Sequence, residues 1–171
     1  MKLKALCLAV SLLALPGVAS AQGVFDSIKK GASDAGKGAV EKRVNTKLMD
    51  EGRKNQCSFK TGTAVLEPGC DAKLKKLTNA LIDAKKQLDG AGVKSYKFEV
   101  SGHTGSTGDA AKNKKLSEQR AETIVKELVS RGIPRGEIMA VGFGSEKPLV
   151  KPDDTPAKKA KNRRYELQVR L

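Results

Sequence analysis

A single histidine, three cysteines, no tryptophan, two tyrosines and four phenylalanines leave this 171-residue chain short of the side chains from which many catalytic and metal sites are built. With one histidine, a zinc site lacks ligands. No CxxC spacing is present, so a redox dithiol has no support. None of HExxH, GxSxG or a phosphate-binding P-loop occurs. The apolar run Ala5–Leu15 is the longest, and it is far short of the ~20 residues a membrane-spanning helix needs. Alternating strands of about ten residues, which a membrane barrel requires, do not recur. What remains is chain for one domain, since domains run roughly 100–200 residues.

The opening residues read as an export signal. Lys2 and Lys4 precede the apolar run, Pro16 and Gly17 break it, and Ala19-Ser20-Ala21 has the small-x-small cleavage pattern. Residues 1–21 are therefore expected to be removed, with the mature chain starting at Gln22. Cys7 lies too early to be a lipidated residue after cleavage. Cleavage takes two lysines and no acids, so the net charge falls from +14 to +12. In the cytosol such a charge suggests nucleic acid. After export the polyanions on offer are wall polymers and anionic lipid head groups, and nucleic acid is set aside as a partner. The lysines are spread along the chain, so most of the charge reads as a solvated surface. Cys57 and Cys70 remain, and an even pair in an oxidising compartment is expected to form a disulfide. His103 with either cysteine as a hydrolytic pair needs a reduced thiol there, so an enzyme is not expected.

Residues 22–54 read as a flexible, partly helical basic arm. Val24, Phe25, Ile28, Ala32, Ala35, Ala39, Val40, Val44 and Leu48 recur in threes and fours, while Gly31, Gly36 and Gly38 weaken the helix. Its thin apolar face suggests a spacer. Its lysines also allow contact with a membrane surface or an envelope protein. A globular domain is expected over residues 55–171. Cys57-Ser58-Phe59 reads as a short strand, and 71–88 as a helix with Leu74, Leu77, Leu81, Ile82, Ala84 and Leu88 inward. Tyr96, Phe98 and Val100 alternate with polar residues as a half-buried strand. A second helix carries Leu116, Ala121, Ile124, Val125 and Leu128. Strands follow at 137–141 and 164–171, the latter after a short helix from Pro156. The order is that of a mixed α/β fold with helices on one face of the sheet.

Specific motifs begin at Gly102. Gly102-His103-Thr104-Gly105-Ser106-Thr107-Gly108, then Asn113, then Leu116-Ser117-Glu118-Gln119-Arg120-Ala121 resembles the OmpA-like peptidoglycan-binding domain family, whose pattern is G-H-T-D-x-x-G, four residues, N-x-x-L-S-x-x-R-A. Gly142-Phe143-Gly144 with Pro148, and Asn162-Arg163-Arg164 before a closing strand, are similar to later elements of that family. The resemblance covers roughly residues 57–171. It implies a two-layer fold and non-catalytic binding of peptidoglycan, in the periplasm and without a cofactor. The ligand it implies is the diaminopimelate of the stem peptide, which carries a carboxylate and an ammonium. In the family one acid, the Asp of H-T-D, holds the ammonium, and the Arg of L-S-x-x-R-A, here Arg120, holds the carboxylate. Thr104, Asn113 and Arg163 are further lining by the same analogy.

Ser117 is a plausible N-cap, which would place Arg120 in a first helical turn where the backbone already favours an anion. The acid half of the clamp is absent, because Gly105 stands where the family has Asp. Asp109, in the same loop, is the candidate substitute. Lys60 stands where many relatives place an acid. Recognition of the usual ligand is expected to be weakened. The alternative is an envelope interaction protein whose basic surface and arm bind anionic polymers, membrane or a partner.

Overall fold

The computed structural model describes residues 19–171, with side chains from Asp34 onward, so the expected signal segment lies almost wholly outside the described residues. Residues before Lys37 form a separate unit, and Lys37–Leu171 form one compact unit. Among the described residues no helix is long and apolar enough to cross a membrane.

Helix α1 spans Ala19–Lys54. Its three-and-four spacing makes a helix face whose end is not a spacer. Val44 and Leu48 are almost wholly shielded from solvent within the main core. The domain therefore begins before the expected boundary at Asn55, because residues 37–54 complete its hydrophobic interior. Polar residues of this segment also bind the sheet. Asn45 donates to the Val169 carbonyl at 3.1 Å and accepts from the Val169 amide at 2.6 Å. Gln56, just past the helix, does the same at Tyr165, donating at 2.8 Å and accepting at 3.2 Å. These pairs satisfy backbone groups on the edge of the last strand, where unpaired N–H and C=O would otherwise invite another chain.

Helix α2 (Asp71–Gly90) buries Leu74, Leu77, Leu81, Ala84 and Leu88. Ile82, expected inward, is 37% exposed. Thr78 takes the inward place, its hydroxyl satisfied by the Leu74 carbonyl at 2.9 Å. The helix ends in a turn around Gly92, whose φ of 72° favours glycine, and the amides of Ala91, Gly92 and Val93 bond back to its last carbonyls. The strand expected at 57–59 is reduced to a single bridge, Phe59 to Leu66.

The sheet has three strands in the order β2-β1-β3. Strand β1 (Lys97–His103) is central, parallel to β2 (Ile138–Gly144) and antiparallel to β3 (Tyr165–Arg170). Phe98 and Val100 pair with Val169 and Leu167 on one face and pack into the core. The other face is polar yet also shielded. Glu99 is covered by its ion pair with Arg170 at 3.1 Å, and His103 by the stacked Phe143 ring at 5.5 Å. A central strand flanked by long side chains is thus buried on both sides, where alternation alone suggested one.

Helix α3 (Ala110–Ser130) lies against β1 and β2 through Ala121, Ile124, Val125 and Leu128. Its approach is closer than any side chain on the strand ends would permit. A Cβ on Gly102 would stand 2.1 Å from the Ser117 carbonyl oxygen, and one on Gly142 would stand 2.6 Å from the Glu118 amide nitrogen. Helix α4 (Pro156–Asn162) is capped by Thr155 and leads into β3.

Truncation of Leu48 tests whether α1 belongs to the domain. Leu48→Ala is expected to lower stability in urea by about 2–5 kcal/mol, the range for a leucine removed from a packed core. A change under about 0.5 kcal/mol, typical of a surface site, would make the helix a detached arm.

Candidate functional site

The register of β1 and the docking of α3 bring three arginines to one cleft of about 590 Å³ at the ends of β1 and β3. Arg120 comes from α3, and Arg163 and Arg164 from the junction of α4 with β3. Phe59 and the segment 56–62 form the opposite wall, and His103 and Tyr165 also line the cleft.

Arg120 is positioned from two sides. Its Nε donates to the Thr63 carbonyl at 2.8 Å, and its guanidinium carbon sits 5.1 Å from the Phe59 ring centroid. Thr123, one turn on, holds the same loop through the Ala64 carbonyl at 3.0 Å. Since Nε alone is committed, the terminal nitrogens remain donors for a planar anion. Burial, and then the nearby Arg163 charge, lower the Arg120 pKa from its ordinary value. The pair is thus short of negative charge. Arg164, by contrast, is neutralised by Glu166 at 2.7 Å.

Helix α3 begins earlier than Ser117 suggested. Asp109 is the N-cap, its carboxylate accepting from the Lys112 amide at 2.8 Å. Two corrections follow. Arg120 lies in the third turn, beyond the reach of the first-turn amides, so only its own guanidinium is there to meet an anion. Asp109 has its carboxylate on the helix N-terminus and does not line the cleft, so it is no substitute for the missing acid. Ser117 instead is buried, donating to the Lys114 carbonyl at 2.7 Å and accepting from the Gly144 amide at 2.8 Å.

Gly105 is buried beside the loop that precedes α4. A Cβ there would meet the Asp153 carboxylate at 3.3 Å and the Lys159 Cβ at 3.4 Å, a tight fit between two flexible side chains. Asp153 accepts from the Ser106 amide at 2.8 Å and from Asn162 at 3.3 Å, and its pKa is lowered, first by the Ser106 hydroxyl and amide. Thr104 lines a separate, smaller pocket with Ser106 and Asp153. Asn113 donates to the Thr107 carbonyl at 2.9 Å and braces the loop. Of the residues singled out by sequence, the cleft therefore gathers Arg120 and Arg163, and the other four shape the loop behind it.

Three contributors were not legible as such. Phe59 forms a wall. Asn162, fully buried, organises the loop before α4 by accepting from the Leu149 and Val150 amides and donating to the Val150 carbonyl. The N-R-R motif was the available signal for it. His103 is 3% exposed, and neither ring nitrogen has a hydrogen-bond partner. Burial, and then the Arg164 charge, pull its pKa down to about 4, so the imidazole is neutral at pH 7.

The cysteines also depart from expectation. Cys57 and Cys70 are free, buried thiols, with the Cys57 sulfur 3.9 Å from the Cys70 carbonyl oxygen. The expected disulfide is not formed, and the pair contributes as small apolar side chains in the core. Burial pushes the Cys57 thiol up to about 12, which leaves no thiolate for nucleophilic chemistry. Among the described residues no group of three His, Cys, Asp or Glu side chains could hold a metal ion.

His103 sets a pH dependence. Its folded pKa is below its unfolded value of 6.5, so the unfolded chain takes up the proton first. Stability is full above pH 6.5 and falls as pH drops towards 4, by roughly 1–3 kcal/mol from this group. Urea unfolding at pH 7.5 and pH 4.5 should show that loss, and His103→Gln should show less of it.

Comparison with known proteins follows the same stretch of chain. The model of the OmpA family matches residues 58–163. Outer membrane porin F of Pseudomonas fluorescens is 45% identical over 71 residues, covering 42% of this chain and 22% of the porin. The peptidoglycan-binding protein ArfA of Mycobacterium tuberculosis is 41% identical over 70 residues, covering 41% of this chain and 21% of ArfA. The matched stretch is thus about a fifth of each of these relatives. The crystal structure of the peptidoglycan-associated lipoprotein from Burkholderia pseudomallei superposes with a TM-score of 0.55 at 23% identity, over 67% of this chain and 89% of that one, a likeness of fold.

Proposed function

This chain belongs to the OmpA family, and from that premise we propose that it binds peptidoglycan without cleaving it, through the cleft at Arg120. The observation that carries the reading is the state of that arginine. Its Nε is anchored to Thr63, its face is packed on Phe59, and its terminal nitrogens make no hydrogen bond among the described residues. A fixed guanidinium with free donors suits bidentate capture of a carboxylate, and the distal carboxylate of a stem-peptide diaminopimelate is such a group. Arg163 adds a second positive charge from the far side. The cysteine and histidine that line the cleft are not poised for hydrolysis. Cys57 is held as the thiol and His103 is buried and neutral. The names of ArfA and of the Burkholderia lipoprotein agree with a wall ligand.

This reading puts the protein at the cell wall, and the signal-like N-terminus supports the periplasm as its compartment. There the spread of lysines adds non-specific attraction to anionic polymers, which salt screens. Binding of a free stem is weakened relative to a family member with the acid, because the ammonium has no partner at Gly105. A lost hydrogen bond to a charged group is worth roughly 1.5–3 kcal/mol, or about ten- to a hundred-and-fiftyfold in affinity.

Co-sedimentation with insoluble peptidoglycan at moderate salt tests the site. Arg120→Ala should lose about tenfold or more in binding, by the same magnitude for a charged hydrogen bond. Gly105→Asp should gain affinity for free stems, with some loss of stability from crowding against Asp153. Tight pelleting that ignores both substitutions and disappears as salt rises would transfer the binding to the basic surface.

A further inference from the structure

The charges around the cleft are one-sided. No carboxylate is among its lining residues. Acids on the adjoining segments are committed elsewhere: Asp109 to the start of α3, Asp153 to Ser106 and Asn162, and Glu166 to Arg164. Arg120 and Arg163 have no ion-pair partner among the described residues, and Lys159 closes over Gly105. An ammonium brought into this cleft meets positive charge and no carboxylate among its lining residues. A neutral amide in the same place meets no repulsion. The cleft is open enough for a branched ligand, with a volume inside the range of small-molecule sites, about 300–1,000 Å³.

We propose that the cleft selects diaminopimelate whose distal amine is acylated, as in a cross-link between two stem peptides, over diaminopimelate with a free ammonium. Acylation removes the positive charge at that nitrogen and leaves the distal carboxylate for Arg120 and Arg163. The inference rests on peptidoglycan being the ligand and specifies which state of it is bound. The protein would then report on mature, cross-linked wall, where a complete acid-and-arginine clamp favours free stem ends.

Calorimetric titration of the full chain with two probes decides the matter. Diaminopimelic acid acetylated at one amine stands for a free stem, because the other amine of a stem is already in a peptide bond. The derivative acetylated at both amines stands for the cross-linked form. The diacetyl probe should bind about tenfold more tightly at moderate salt, since one ammonium no longer opposes two guanidiniums. Replacing Arg120 and Arg163 together by Gln should abolish that preference. Equal binding, or tighter binding of the monoacetyl probe, overturns the inference and leaves peptidoglycan as the ligand. A preference that survives in the double variant comes from overall charge and also overturns it. If neither probe binds while insoluble peptidoglycan still pellets the protein, the cleft is not the site of selection and the inference fails. If peptidoglycan does not pellet it either, the function proposed above fails as well.

Discussion

The contact on which the rest depends is the backbone-to-backbone approach of α3 to the ends of β1 and β2. Gly102, Gly142 and Gly144 present no side chain at the place where Lys114, Ser117 and Glu118 pass. Ser117 then bonds across to the Gly144 amide. The helix is thereby fixed in height and rotation against the sheet, and Arg120, one turn beyond Ser117, is delivered to the cleft. The same approach closes the core below, where Ala121, Ile124 and Val125 meet the sheet. A single added methyl at Gly102 would push α3 outward and move the arginine with it. Fold and site therefore share one constraint, and glycine is the residue that meets it.

Much of this was legible because the periodic signals are strong. Five leucines and alanines of α2 and four apolar residues of α3 lie where their spacing puts them. The resemblance between Gly102 and Ala121 singled out Arg120, which lines the cleft. What escaped detection depended on partners remote in sequence. The turns of α3 before Ser117 carry Ala110, Ala111, Lys112, Asn113, Lys114 and Lys115. Such residues show no apolar stripe, so Ser117 looked like a beginning. The segment 37–54 looked too thin to be core because Val44 and Leu48 are its only large buried side chains. Its other contribution is made by Asn45, whose partner lies 124 residues away. Polar side chains that complete a sheet edge leave no pattern in their own neighbourhood.

The electrostatics of the loop behind the cleft follow from the same economy of partners. Asn162 uses its carbonyl and its amide on one short stretch, Leu149 to Asp153, and so shapes the loop that presses on Gly105. Asp153 is drawn to Ser106 and away from the arginines. A residue with a side chain at 105 would have to displace that arrangement, so the absence of the motif acid and the placement of Asp153 are two aspects of one local solution. Neutral His103 fits beside them, since a charged imidazole there would face Arg164 with only Glu166 to offset it.

The edge of β3 carries a further consequence, for the order in which the chain can fold. The central strand β1 needs β3 as its antiparallel partner, and β3 needs Asn45 and Gln56 from the beginning of the domain. A chain emerging from its N-terminus can form α1, α2 and α3 locally, but the sheet stays unfinished until Tyr165–Arg170 arrive. Contacts spanning most of the sequence form late and slowly, because their loop must close before they contribute anything. The domain consequently stays incomplete until almost the whole chain has been made.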